Sequence, residues 1–490
     1  MTIGTPMERL KNQVMLITYP DSMGGNLKEL GCILDKHFQG MIGGVHILPF
    51  YPSSGDRGFA VINYDEVFSE FGTWDDIREL SEKYYLMADF MINHMSIRSE
   101  EFQNYMRFGD SSKYKELFLD WNKFWPHGEP TSEESELLPR RKAGRPCFEF
   151  TRKDGKTVTL WNTFFEEQVD IDPWSDAARE YYSRNLERLS KFAAIIRLDA
   201  LAYATKKPGT NCFFVEPEIW KLLHLCKECV NPGTELLPEI HTDYRSQIRV
   251  AEHGYWVYDF ALPMLMLHAL YTGRTDRLLY WFSICPRKQF TTLDTHDGIG
   301  VIDVAGLLEE DEIDYVRDVV NAQVEKFRPY FKAPIARMKV NNKEAKQYQL
   351  MCTYYSALGE DDMAWLLARS IQLFAPGIPM VYYVGLLAGK NDGEGVMHDG
   401  EPRSLNRHNF STKEVEECIQ KPVVQRFCEI MRLRNSYDAF NGLFSASTGK
   451  SESELIISWT KRDQRATLIG DLTTREMAIE YFENGEIKQL

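Results

Sequence analysis

Short, nearly continuous apolar runs recur along the chain at residues 14–19, 44–50, 86–94, 194–201, 235–240, 256–262, 290–297 and 377–384. Runs that lack the apolar–polar alternation of a half-exposed strand mark strands covered on both faces, as in a parallel sheet flanked by helices. Helical patterns lie between them. Over 176–193, Ala178, Tyr182, Leu186, Leu189 and Ala193 recur at three- and four-residue spacing, which turns one apolar stripe to the sheet and leaves Arg179, Glu187 and Arg188 to water. Eight such strands predict an α/β fold, a (β/α)₈ TIM barrel.

Two connections are too long to be simple loops. Roughly a hundred residues separate the third and fourth strands and roughly eighty the seventh and eighth, several times the ordinary loop length. Each predicts an inserted subdomain, at 93–173 and 299–355, which splits the barrel into 1–92, 174–298 and 356–436. Farther on, 455–459, 466–472 and 475–482 read as short strands with Asn484-Gly485 as a hairpin turn, so 437–490 is expected to be a small C-terminal β domain. No internal repeat or low-complexity tract interrupts this plan.

Composition narrows the class. With 490 residues, 43% hydrophobic and 26% charged, the chain has the makings of a large globular core. A net charge of −15 with no basic block argues against a general binder of nucleic acid or anionic membranes. No window approaches 18 apolar residues and no basic start leads into an apolar run, so neither membrane nor export is indicated and a cytoplasmic location is expected. The nine cysteines are scattered. Cys226 and Cys229 make one C-x-x-C, but no second pair or nearby His completes a zinc set, and one helix face carrying two thiols is the simpler reading.

In a (β/α)₈ barrel the chemistry stands at the carboxyl ends of the strands. The expected ends here carry Asn93-His94, Asp199, Glu239, Asp259 and Asp294-Thr295-His296-Asp297. Acids that end apolar strands incur a desolvation cost that a structural sheet has no reason to carry, although Asp259 alone could cap a helix and His46 could be a satisfied core histidine. Three such acids suit glycosyl transfer with retention: one attacks the anomeric carbon, another protonates the leaving oxygen, and carboxyls about 5 Å apart favour double displacement. Strand alternation puts Arg197 on the same face as Asp199, where it could hold that carboxylate ionised. Glu239 follows Leu236-Leu237-Pro238, an apolar setting expected to raise its pKa for general-acid use.

Arg197-Leu198-Asp199-Ala200, Pro238-Glu239-Ile240-His241, Thr295-His296-Asp297 and Ile92-Asn93-His94, in that setting, resemble the signature regions of the α-amylase superfamily, glycoside hydrolase family 13. Longer stretches resemble its sucrose phosphorylases: Leu16-Ile17-Thr18-Tyr19, Gly43-Gly44-Val45-His46, Pro52-Ser53-Ser54-Gly55-Asp56-Arg57-Gly58-Phe59, Phe213-Phe214-Val215-Glu216-Pro217-Glu218, and the segments 289–300, 353–358 and 376–388. The likeness runs over nearly the whole chain. It implies Asp199 as nucleophile, Glu239 as acid/base and Asp297 as the carboxylate that holds glucose hydroxyls and stabilises the oxocarbenium-like transition state. It also implies a glucose subsite lined by Asp56, Phe59, His94, Arg197, His296 and Arg407, flanked by Gln168, Tyr203 and His241. In that family inorganic phosphate is the co-substrate, α-glucose 1-phosphate the product, and no metal or other cofactor is required. No Asp/Asn-rich loop with calcium spacing lies between Asn93 and Gln168, and no metal is expected.

The acceptor side departs from the family. Its members usually carry a Leu-Asp pair shortly before Tyr-Gln, whereas Lys346 stands where the Asp is expected in Asn341-Asn342-Lys343-Glu344-Ala345-Lys346-Gln347-Tyr348-Gln349. Between positions 337 and 346, Arg337, Lys339, Lys343 and Lys346 face one acid, Glu344, a balance that favours phosphate or an anionic acceptor unless the loop is merely solvated. A second basic group, Arg140-Arg141-Lys142 with Arg145, lies where the family places a phosphate-contacting Arg; Arg141 is the choice, with Tyr348 opposite and Gln349 beside it. Relatives acting on sucrose 6'-phosphate tend to have His in place of Tyr348, which favours sucrose; Lys346 pulls the other way. The expected partners are sucrose or a related α-glucoside and phosphate, without nucleic acid or membrane, and a homodimer is compatible with the sequence. Retained readings are a phosphorylase for sucrose 6'-phosphate or another α-glucoside such as glucosylglycerate, an α-glucoside hydrolase, and a catalytically silent sugar-binding protein. Intact Asp199, Glu239 and Asp297 argue against the last, since a silent relative would be free to lose acids that are costly to bury.

Overall fold

A computed structural model describes residues 10–139, 141, 144–332, 337–338, 346–483 and 485–490, with backbone alone at 337, 338 and 346. Eight parallel strands form its centre: β1 (Met15–Thr18), β2 (Gly44–Ile47), β3 (Tyr85–Met91), β4 (Ala193–Asp199), β5 (Glu235–Pro238), β6 (Val257–Asp259), β7 (Gln289–Thr291) and β8 (Ile378–Tyr382). Their hydrogen-bonded order is β6-β7-β8-β1-β2-β3-β4-β5, a barrel closed except at the β5/β6 seam. Each coincides with one of the eight apolar runs. Every residue of β3 and of β4 is buried, which is why these strands lack alternation in sequence.

The helix expected over 176–193 is Asp176–Leu189, opened by Ser175, whose side chain accepts from the Ala178 amide. Ala193 is not on its stripe. The helix stops at Ser190 and Ala193 begins β4, so a small apolar residue that fits both periods belongs to the strand.

Between β3 and β4, His94–Ser96 pairs antiparallel with Gln168–Asp170 and Cys147–Thr151 with Thr157–Trp161. The second hairpin packs on a satellite core in which the Trp121 and Trp161 rings lie 4.6 Å apart. Between β7 and β8, Ile299–Gly300 pairs with Gln349–Leu350 and Arg337–Met338 with Lys346–Gln347, around the helix Glu310–Val324.

The C-terminal unit is one antiparallel sheet of five strands in sequence order, Leu443–Thr448, Glu454–Lys461, Gln464–Asp471, Met477–Glu483 and Glu486–Gln489. Two more strands appear than the sequence pattern predicts, and both are edges. Leu443–Thr448 turns only Phe444 and Ala446 to the core and Glu486–Gln489 is exposed throughout, so neither shows a continuous apolar run. Of the expected turn, Asn484 lies outside the described residues. Trp459 anchors the sheet to the barrel by donating its indole N–H to the Phe374 carbonyl at 2.7 Å. Among the described residues no helix is long and apolar enough to cross a membrane.

Candidate active site

Arg197 is the hub. Pointing inward from β4, its Nη1 lies 2.8 Å from Asp199 Oδ1 and also meets Asp89, while its Nη2 lies 2.8 Å from Glu239 Oε1. The register explains this: Asp89 of β3 stands opposite Arg197 and Met91 opposite Asp199, so residues two apart on β4 share the interior face. Asp89 is secured from its other side by His46 Nε2 at 2.7 Å. After Asp199 the chain turns through Ala200 at φ 54, and that left-handed residue gives its amide to Glu239 Oε2 at 2.9 Å. The two acids are thereby tied to one guanidinium and one turn.

Asp297, beyond β7, completes the group. Single donor atoms of Glu239, His241 and Asp297 all lie within 4.8 Å of one another. Arg403 Nη2 stands 3.2 Å and Arg407 Nη2 3.8 Å from Asp297 Oδ1, and Arg407 Nε donates to the His296 carbonyl at 2.8 Å. The Phe59 ring stacks on His296 with centroids 5.1 Å apart, making one apolar wall. Asp56 sits in a tight turn at φ 51 and accepts from Gln168 Nε2 at 3.1 Å. Gly58 makes that turn feasible, because a Cβ there would come within 2.7 Å of the Pro49 carbonyl oxygen and its φ is +107°. His94 donates Nε2–H to the Phe59 carbonyl at 3.2 Å, and burial holds its pKa low. These contacts join Asp56 to Gln168 and Phe59 to His94 and His296, beside a small cavity lined by Arg197, Glu239, Phe260, His296 and Asp297.

At its mouth the Arg141 guanidinium lies over the Tyr348 ring at 4.4 Å and near Phe164 and Tyr203 at 5.4 and 5.8 Å. Phe164 also packs edge-on against His94 at 5.3 Å, so this aromatic group is continuous with the His94–Phe59 pair. Gln349 is buried beside Tyr348. Arg145 turns away to pair with Glu129 and is exposed. The Lys346 side chain, Lys339, Lys343, Glu344, Arg140 and Lys142 lie outside the described residues, as does the side chain of Arg337.

Two strand-end acids are not part of the site. Asp259 accepts both from the Leu262 amide at 3.0 Å and from Trp281 Nε1 at 3.0 Å, acting as the cap that its position allowed, and Asp294 is sealed against Arg369 at 2.7 Å. Three residues that motif reading passed over are central: Asp89, Arg403 and Lys206. Arg403 lies four positions before Arg407, the only signal that could have found it. Lys206, with a side chain 3% exposed, gives its ammonium to Asp170 Oδ2 at 2.8 Å, Asn93 Oδ1 at 3.0 Å and the Tyr203 carbonyl at 2.6 Å. It thus joins β3's end, the first insertion and the loop after β4. Lys206→Met should leave Asp170 buried without its cation and lower unfolding free energy by about 3–5 kcal/mol, read by urea denaturation. An unchanged midpoint would show that the three oxygens find other partners.

The electrostatics reverse two expectations. Burial and the Glu239 charge push the Asp199 carboxyl well above the usual range, and Arg197 only partly opposes them. Burial likewise acts to raise Glu239, but Arg197 and His241 outweigh it and hold Glu239 below the usual range. One guanidinium shared by Asp89, Asp199 and Glu239 cannot keep all three ionised. The apolar residues before Glu239 misled because the charges facing it come from β4 and from His241, not from its own strand. Asp297 stays ionised: burial opposes it, and His296, Arg403 and Arg407 more than compensate.

An alpha-amylase catalytic-domain family model matches residues 36–204. With the barrel and its strand-end acids, this defines the class: an α-amylase-type carbohydrate-active barrel. The chain is 46% identical to the sucrose phosphorylase of Streptococcus mutans over 97% of its own length and 98% of that protein. It is 44% identical to the sucrose 6(F)-phosphate phosphorylase of Thermoanaerobacterium thermosaccharolyticum, over 97% and 98%. A crystal structure of sucrose 6F-phosphate phosphorylase from Thermoanaerobacter thermosaccharolyticum superimposes with a TM-score of 0.92 at 42% identity, covering 98% of each chain. The chain therefore belongs to the sucrose phosphorylase group of glycoside hydrolase family 13, and it is an enzyme.

Proposed function

We propose that the protein catalyses phosphorolysis of sucrose with retention, through a covalent glucosyl-enzyme. In the first step an Asp199 oxygen bonds to the anomeric carbon while the bond to the fructosyl oxygen breaks and Glu239 protonates that oxygen. In the second, a phosphate oxygen attacks the same carbon from the vacated face, Glu239 takes up any proton released, and Asp199 departs as carboxylate. Two inversions give α-glucose 1-phosphate. Asp297, with Arg403 and Arg407 behind it, holds glucose hydroxyls and faces the positive charge that develops at the ring. This cycle needs one proton on the Asp199–Glu239 pair, located on Glu239. Arg197 bridges the two carboxylates, so they titrate as one pair, and the reactive form is the one with the proton on Glu239.

The observation that carries phosphate as acceptor is the Arg141 guanidinium over the Tyr348 ring, 4.4 Å from its centroid, at the mouth of the site. A water acceptor would need no such cation. The two inserts, 93–173 and 299–355, supply Arg141 and Tyr348 respectively, and we assign the acceptor subsite to them. Glu239, His241 and Asp297 offer three donors to a metal, but Arg197, Arg403 and Arg407 already serve the two carboxylates, and the reaction as written needs no metal. Sucrose incubated with and without phosphate tests the reading: glucose 1-phosphate formed only with phosphate supports it, and equal free glucose in both arms makes the enzyme a hydrolase.

Sucrose 6'-phosphate is the second reading, favoured by Lys346 in the acceptor insert. A desolvated charge-assisted contact is worth about 1.5–3 kcal/mol, or roughly ten- to more than a hundredfold in specificity. Lys346→Asp is therefore expected to lower kcat/KM for sucrose 6'-phosphate more than for sucrose if Lys346 faces the acceptor. Both donors measured at one phosphate concentration decide: an unchanged ratio places Lys346 in solvent and leaves sucrose as donor.

A further inference from the structure

Asp303 belongs to none of the family motifs, yet it is fully buried one side chain away from the acid/base. It stands in the tight turn Ile302–Val304, just after the pairing of Ile299–Gly300 with Gln349–Leu350. His241 lies between two carboxylates, with Nδ1 3.4 Å from Asp303 Oδ2 and Nε2 3.5 Å from Glu239 Oε1. Its ring is held flat on Phe260, with centroids 4.2 Å apart. Gly300 keeps the contact open, since a Cβ there would fall 2.6 Å from Asp303 Oδ2. Among the described residues, Oδ1 of Asp303 is buried with no hydrogen-bond partner and His241 is the one side chain that this carboxylate pairs with.

We propose that Asp303 is a positioning residue that fixes His241 as a cation turned onto Glu239, so that the acceptor entering beside Glu239 meets an imidazolium. The proposal rests on the phosphorolysis reading. Any acceptor that exchanges a proton with Glu239 must come within hydrogen-bond reach of its carboxylate, and His241 is its neighbour on that side. The charged groups around the ring are Glu239 at the end of β5, Asp303 on the turn and Asp297 beyond β7, with Arg197 sharing the same Glu239 oxygen, Oε1; among the described residues the β6 side offers Phe260 and Tyr258. Burial alone would lower the His241 pKa, but Asp303 and then Glu239 raise it to about 10. The same segment is tied to the acceptor insert, because the Val301 amide donates to the Tyr348 carbonyl at 2.9 Å. Acceptor loop and acid/base are therefore positioned by one turn.

A neutral amide at 303 removes the carboxylate and keeps its shape. In Asp303→Asn the His241 proton is lost as pH rises through a value nearer the ordinary one of about 6.5. The phosphate KM should then rise about ten- to a hundredfold at pH 8 and return toward the unmodified enzyme's at pH 6, while phosphate-independent glucose release at pH 8 changes little. A phosphate KM that matches the parent enzyme at both pH values overturns the proposal. The charge is also read directly, by ¹⁵N-histidine NMR of the intact parent protein with the His241 signal assigned through His241→Gln. Imidazolium persisting through pH 8 is expected; titration in the ordinary histidine range overturns the proposal whether or not Asp303→Asn folds. If the parent enzyme forms no glucose 1-phosphate from sucrose or its 6'-phosphate, it is the phosphorolysis reading that fails, and the NMR titration still decides whether Asp303 sets the charge of His241.

Discussion

Asp199→Ala is expected to abolish glucosyl transfer, lowering kcat/KM with sucrose by about four orders of magnitude or more. The other carboxylates cannot stand in. Asp89 is closed off between Arg197 and His46, Glu239 is engaged by Arg197 and the Ala200 amide, and Asp297 is held by two arginines. The loss should be specific to chemistry. Asp199 is a buried acid whose carboxyl is pushed up mainly by its own burial, so removing it relieves a desolvation cost while Arg197 keeps two carboxylate partners. The melting temperature of Asp199→Ala is accordingly expected to equal or exceed that of the parent. Intact mass after rapid acid quench with sucrose checks the covalent step: the parent gains one glucosyl group and the variant none. A variant that melts normally and still forms glucose 1-phosphate at a tenth of the parent rate, about 1.4 kcal/mol of barrier, would remove Asp199 from the nucleophile's role.

The architecture was readable because a strand buried on both faces has little choice of residue. All eight barrel strands announce themselves as apolar runs, and the acids that end β4 and β5 stand out against them. Edge strands escaped for the converse reason. Leu443–Thr448 and Glu486–Gln489 are paired along one side only, and apart from Phe444 and Ala446, which pack on the core, their side chains lie largely in water and give too short a pattern to read. In the site, the residue kinds were legible and the charge balance was not. Arg197 two before Asp199 predicts a same-face contact, which the structure contains, but nothing in the local sequence shows that Asp89 and Glu239 draw on the same guanidinium. Arg403 and Asp303 were invisible for a related reason: each acts on a residue more than sixty positions away, through a loop whose path the chain alone does not disclose. Arg141 lies in a segment without periodic pattern, and it was its basic character together with the family's placement of a phosphate-contacting Arg that drew attention to it.

The shared guanidinium also determines what removal of Glu239 should do. In Glu239→Gln the proton donor for the fructosyl oxygen is gone, and phosphorolysis of sucrose is expected to fall by about 10²–10⁴-fold. A donor whose leaving group departs without a proton, such as α-glucosyl fluoride, should still glucosylate Asp199 at close to the parent rate. Phosphate, already an anion, can complete the second step with little base assistance, so glucose 1-phosphate should still form from the fluoride. The pH dependence gives an independent reading. Glu239 is the largest neighbouring charge raising Asp199, and with a neutral amide in its place Arg197 has one carboxylate fewer to serve. The Asp199 carboxyl then ionises at lower pH, and because the nucleophile is the ionised form, the acid limb of the fluoride reaction should move to lower pH in Glu239→Gln. Equal loss with sucrose and with the fluoride, or an acid limb that stays in place, would mean that Glu239 is not the proton carrier and that the proton of the pair is governed from elsewhere in the site.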